Sequence, residues 1–220
     1  MQKTNKITFV RFGSIEKLNE HVVHKLIQAI SDNSKANIIL SGGNTPRPIY
    51  EGFSSLGIQS TECNFIPSDE RRVSIDDNLS NEGMIKKHLK NYNPSQILSL
   101  HDPQIQNQLR KISFYDLSLL GMGQDGHFAS IFPRMDNLEE ALSSEDPLCM
   151  VNTGFPDVPR ISLTLKEMLK SKTTLLLVAD KKKLRMLEDA LQFPNATPIS
   201  KLIDSVQALE VCVLKKHKPY

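Results

Sequence analysis

The stretch FYDLSLLGMGQDGHFASIFP (114–133) decides how this chain is read. Its apolar run, 114–120, is strand-like and enters a loop carrying Gly121, Gly123 and Gly126. The spacing is G-x-G-x-x-G, which between a strand and a helix cradles the pyrophosphate of a dinucleotide. That fingerprint also needs an acidic residue closing the next strand, about 20 residues on, to hold the ribose. Residues 134–147, RMDNLEEALSSEDP, offer acids but no strand to place them. The fingerprint also belongs at the first strand of a nucleotide fold, whereas half the chain precedes it here. A dinucleotide site is therefore not expected. His127 directly follows the last glycine, and Asp125 stands two residues before it. A histidine held on a glycine turn beside a carboxylate has the makings of an oriented general base. The alternative is an ordinary loop histidine.

Outward from this loop, strand-like and helix-like segments alternate. Strands are expected at 7–12, 36–40, 63–67, 97–100, 114–122, 173–180 and 209–214. Helices are expected at 15–30, 45–57, 80–90, 105–112 and 181–192. In the first helix Ile15, Leu18, Val22, Leu26 and Ile30 keep helical spacing, and Ser14 is placed to cap it. The runs NIIL, LSLL and TLLLV are continuously apolar rather than alternating. Strands covered on both faces look like this, so an α/β sandwich with a mostly parallel sheet between helix layers is expected. Ligands of such sheets bind at the carboxyl ends of the strands, where every glycine turn of this chain falls.

With 220 residues, a single domain spanning 1–220 is expected. Twenty-seven basic against 25 acidic residues leave a net charge of +2, which gives no case for a nucleic-acid partner. The lysine clusters KKKLR (181–185) and KKHK (215–218) read as solvated helix and tail ends. No stretch approaches the ~18 apolar residues of a membrane span, and the first ten residues contain no signal-like apolar run. Cys63, Cys149 and Cys212 lie far apart without C-x-x-C spacing, and read as buried thiols of a cytoplasmic protein. His21 and His24 are three apart on a helix, but no third ligand is evident in sequence, so no metal site is expected. His88, His101 and His217 carry no signal of their own.

Two further turns could hold a ligand. In SGGNTP (41–46), Gly42 and Gly43 allow close backbone approach, and Ser41 and Thr45 add hydroxyl donors ahead of a helix N-terminus. This is either a plain strand-to-helix turn or a phosphate cradle, though not a Walker A loop. In PSDERRV (67–73), Asp69, Glu70, Arg71 and Arg72 form either a solvated loop of cancelling charge or a polyol-and-anion site. There the acid would accept from hydroxyls and the guanidinium would fork onto phosphate. Arg160, alone before an apolar run, is a further candidate.

Taken in order, SGGNTP, SDERRV with SN (80–81), LGMGQDGHFASIFP, PRISLTL (159–165) and PIS (198–200) resemble the 6-phosphogluconolactonases. The five motifs run from residue 41 to 200. The resemblance implies a Rossmann-like three-layer α/β fold, of the group shared with glucosamine-6-phosphate deaminases and ribose-5-phosphate isomerases. It also implies hydrolysis of 6-phospho-D-glucono-1,5-lactone without cofactor or metal, the partner being that small phosphorylated lactone. Carried over, His127 is the expected base, with Asp125 orienting it or binding sugar hydroxyls, and Arg71 is expected near the phosphate. A family lysine in G-x-x-K aligns with Lys183, Asp180 standing where the glycine would be. Ser74 replaces a proline common after D-E-R-x-V. The readings kept beside it are a deaminase or isomerase of the same group, and a catalytically silent sugar-phosphate binder. Deaminases of the group read D-E-Y and D-G-H-I-A-F-N-E-P at the two sites where this chain has DER and DGHFASIFP.

Overall fold

The computed structural model describes residues 6–32, 35–57, 62–194 and 196–215; the tail lysines 216 and 218 and His217 lie outside them. In chain order the elements are β1 (Lys6–Phe12), α1 (Ile15–Ser31), β2 (Ala36–Leu40), α2 (Arg47–Ser55), β3 (Cys63–Pro67), β4 (Asp69–Arg71), α3 (Asn81–His88), α4 (Ile105–Arg110), β5 (Leu117–Gly121), α5 (Leu138–Ser143), β6 (Leu148–Val151), β7 (Arg160–Leu163), α6 (Leu165–Met168), β8 (Thr174–Val178), α7 (Lys181–Gln192), α8 (Pro198–Ser205) and β9 (Ala208–Leu214).

Six strands pair in the order β1-β9-β8-β5-β2-β3, every pair parallel. The apolar runs explain why. Leu175 and Leu177 of β8 face a core built with α1, α2 and α3, through Leu18, Val22, Tyr50, Phe53 and Ile85. Leu176 and Val178 face the opposite core, with Leu109, Met168, Leu187 and Leu202 of α4, α6, α7 and α8. A strand whose two faces are both covered has no polar alternation left to show. The chain is thus a three-layer α/β sandwich, its three cysteines buried and unpaired. No helix among the described residues is long and apolar enough to cross a membrane.

A second, smaller sheet was not expected. Its order is β4-β7-β6, and both pairings are antiparallel. Residues 69–71, read as a loop, are its edge strand; α5 occupies the acid-rich segment 134–147, and β6 follows directly after it. The segment 97–100 is not a strand: Ile97 makes a single bridge to Phe65 beyond β3, and Leu98 N–H donates to Phe65 O at 2.9 Å. Nothing pairs with its far side, so the main sheet ends there among the described residues. α8 was visible only as the motif PIS. Its start is a capping box, the Thr197 hydroxyl accepting from Ser200 N–H and the Ser200 hydroxyl from Thr197 N–H.

Candidate active site

The carboxyl ends of β2, β5 and β8 open into a cleft of about 960 Å³. Ser41, Gly42, Gly43, Thr45, Asp69, Arg71, Asp125, His127, Arg160 and Lys183 all line it. Seven of these ten residues follow neighbouring strands of the parallel sheet, as its topology requires, and Asp69, Arg71 and Arg160 reach the same place from the small sheet.

The loop after β5 presents the histidine. Gly123 N–H donates to His127 O at 2.8 Å, closing a tight reverse turn. A Cβ on Gly123 would lie 2.2 Å from the His127 ring and 2.5 Å from Asp125 Oδ1, so only glycine fits against the pair. Asp125 Oδ1 sits 2.6 Å from His127 Nδ1 and also accepts from the His127 backbone N–H at 3.2 Å. A carboxylate can only accept, which puts the imidazole proton on Nδ1 and leaves the lone pair on Nε2. The loop is braced from below: Ile199 N–H, in the first turn of α8, donates to Gly126 O at 2.9 Å. The PIS motif thus anchors the turn that carries His127.

The small sheet supplies the cationic side. In β4, side chains alternate, so Asp69 and Arg71 share a face and Glu70 takes the other. Glu70 is fully buried and accepts from Ser80 Oγ, Asn81 N–H and Glu82 N–H, capping α3 with its charge. The middle letter of DER is scaffold, and the outer two face the cleft. Antiparallel pairing sets Arg71 directly opposite Arg160 of β7. Arg71 Nη1 donates to Leu79 O and Asn81 Oδ1, and Arg160 Nη2 donates to Pro156 O at 3.0 Å. Burial first, then the neighbouring Arg71 charge, pull the Arg160 guanidinium below its ordinary range; Asp69 acts in the opposite sense. Two like charges set side by side call for an anion between them.

Unsatisfied donors mark where that anion would sit. Among the described residues, five buried side-chain polar atoms lack a partner within the protein, and three line this cleft: Ser41 Oγ, Arg71 Nε and Arg160 Nε. Buried donors left unpaired cost about 1–3 kcal/mol each, so clustering them in one cleft points to a ligand that completes them. Asp69, by contrast, is already engaged, its two oxygens accepting from Ser68 Oγ at 3.0 Å and Ser130 Oγ at 2.6 Å.

Two residues that sequence reasoning passed over tie the cleft together. Asn81 donates to Asp69 O, accepts from Arg71, and lies so close to the 41–46 turn that a Cβ on Gly42 would fall 1.8 Å from its Oδ1. Its signal was present in the SN pair of the resemblance. Phe132 lies between the two chemical ends, its ring 4.6 Å from the His127 ring and 5.4 Å from the Arg160 guanidinium carbon. Among Lys181, Lys182 and Lys183, it is Lys183 that reaches the cleft. Asp180 caps α7 by accepting from the N–H groups of Lys182 and Lys183, which turns Lys183 inward and leaves the first two lysines exposed.

A family model described as glucosamine-6-phosphate isomerases/6-phosphogluconolactonase matches residues 13–210. A Thermotoga maritima protein named 6-phosphogluconolactonase is 30% identical over 205 residues, 87% of this chain and 90% of that one. The crystal structure of a 6-phosphogluconolactonase from Shewanella baltica superposes with a TM-score of 0.86 at 24% identity, covering 97% of this chain and 99% of the other. A monomeric glucosamine-6-phosphate deaminase of the NagB superfamily shares the fold, with a TM-score of 0.79 at 18% identity, covering 94% and 97% of the two chains. With the motifs in register and the fold in common, the chain belongs to the glucosamine-6-phosphate isomerase/6-phosphogluconolactonase family.

Proposed function

We propose that this chain hydrolyses 6-phospho-D-glucono-1,5-lactone to 6-phosphogluconate, the activity its relatives are named for, and that it does so in the cytoplasm. The observation that carries the reading is the pairing of two unlike ends in one cleft. One end holds unsatisfied guanidinium donors, and the other holds a carboxylate-oriented imidazole with a free Nε2. Phe132 touches both ends, which suits a six-membered lactone ring lying over it with its phosphate on the exocyclic carbon.

In this reading Arg71, Arg160 and Lys183 take the phosphate, together with the Ser41 hydroxyl and the backbone of Gly42 and Gly43. Thr45 adds its hydroxyl to the phosphate cradle, and Asp69, held by Ser68 and Ser130, accepts from a sugar hydroxyl through a remaining lone pair. Anchoring the phosphate fixes C1 against His127, which turns the reaction into a positioned one. His127 Nε2 removes a proton from water as its oxygen attacks C1. The resulting imidazolium, steadied by Asp125, returns that proton to the ring oxygen as the C1–O bond breaks. A lactone is already an activated ester, so the step needs neither a covalent nucleophile nor a metal. The backbone and side-chain donors around the cleft stabilise the oxyanion.

The test is lactone hydrolysis by the purified chain, with spontaneous hydrolysis subtracted. Turnover well above background is expected. Background-only hydrolysis, or ammonia released from glucosamine 6-phosphate instead, would overturn the assignment in favour of a silent binder or a deaminase.

A further inference from the structure

The His21–His24 pair comes apart in the folded chain. His24 is exposed, while His21 turns toward β9. There it meets Glu210 and Cys212, which alternation along the strand places on one face, toward α1. His21 Nε2 is 2.5 Å from Glu210 Oε1, and Cys212 Sγ is 3.9 Å from the same oxygen. The three donor atoms all lie within 4.8 Å of one another. With His24 turned out, the other two candidate ligands both come from a strand nearly the whole chain away.

The geometry points to a zinc-class divalent-cation site formed by His21 Nε2, Glu210 Oε1 and Cys212 Sγ, joining α1 to β9. Imidazole, carboxylate and thiolate together are the donor set of zinc-like ions. Tetrahedral zinc, with Zn–N and Zn–O near 2.0–2.1 Å and Zn–S near 2.3 Å, sets ligand atoms about 3.3–3.6 Å apart. Binding would open the His21–Glu210 contact from 2.5 Å to about 3.3 Å and close the Cys212–Glu210 contact from 3.9 Å to about 3.6 Å. The carboxylate and thiolate balance the dication, the thiol proton passing to solvent on binding. The fourth position is left to water; the His21 side chain is 26% exposed, while Cys212 is fully buried.

Lys25 sets the strength of the site. Its ammonium lies 3.0 Å from Glu210 Oε2, the second oxygen of that carboxylate. It leaves Oε1 free to bind while opposing the incoming charge. A site of moderate affinity is the consequence, tightened when Lys25 is neutralised. None of these four residues lines the catalytic cleft, so metal binding and lactone turnover are separable.

The experiment is equilibrium dialysis of the tag-free full chain against zinc chloride after chelator treatment, paired with cobalt(II) titration. One equivalent of zinc is expected, with a thiolate-to-cobalt charge-transfer band. Cys212→Ser and His21→Gln should each weaken binding by at least about tenfold, and Lys25→Met should tighten it. Thermal melts and lactone turnover of the variants establish that they fold. No uptake by the parent chain, no charge-transfer band, or uptake unchanged in both folded ligand variants would each overturn the proposal.

Discussion

Replacing His127 with alanine is expected to lower kcat by about 10²–10⁴-fold, the usual contribution of a positioned general base, with KM little changed. The loss follows from the hydrogen-bond arrangement rather than from the residue type. Asp125 holds Nδ1 at 2.6 Å, and the imidazole presents Nε2 as the acceptor in the cleft. Alanine removes that acceptor while the turn survives, because its closure runs through backbone groups of residues 123 and 127. Stability should hold, since the His127 side chain is 31% exposed and makes no buried polar contact. Measurement of kcat and of the thermal midpoint on one preparation separates the cases. Near-normal turnover in a folded variant would remove His127 from the chemistry.

The second large effect is expected at the cationic end. Arg71→Met should raise KM for the phosphorylated lactone by about 10- to 150-fold, because a hydrogen bond to a charged group is worth about 1.5–3 kcal/mol. kcat should fall less, since the reacting atoms lie at the other end of the cleft. Methionine keeps much of the side-chain volume but loses the hydrogen bonds that Arg71 Nη1 donates to Leu79 O and Asn81 Oδ1, so a thermal melt accompanies the kinetics. Arg71→Lys keeps the charge without the fork and should fall between the two. Steady-state kinetics settle it: an unchanged KM in Arg71→Met would place the phosphate elsewhere.

The main sheet was readable because its strands are continuously apolar, and burial on both faces is what makes them so. Once the sheet is parallel, its carboxyl edge is the ligand edge, and the glycine turns leaving β2 and β5 identify themselves. The small sheet had no such signal. β4 is three residues, Asp69–Arg71, charged throughout, and it becomes a strand only by pairing with a segment far along the chain. Sequence could therefore nominate Arg71 and Arg160 separately but could not set them opposite one another. Phe132 was equally hidden, an apolar residue in an apolar run whose position is fixed by packing. Lys183 was distinguishable from its neighbours only after Asp180 was seen to cap the helix. The side chains that meet His21, Glu210 and Cys212, were invisible because they lie on the last strand.

The most direct test of the cleft assignment is a crystal structure of the chain with 6-phosphogluconate. The phosphate is expected between Arg71 and Arg160, with Lys183 in reach and the unpaired Nε atoms engaged. C1 is expected to face His127, with a water bridging its carboxylate to the Nε2 lone pair. A ligand bound in the reverse sense, or with C1 away from His127, would contradict it.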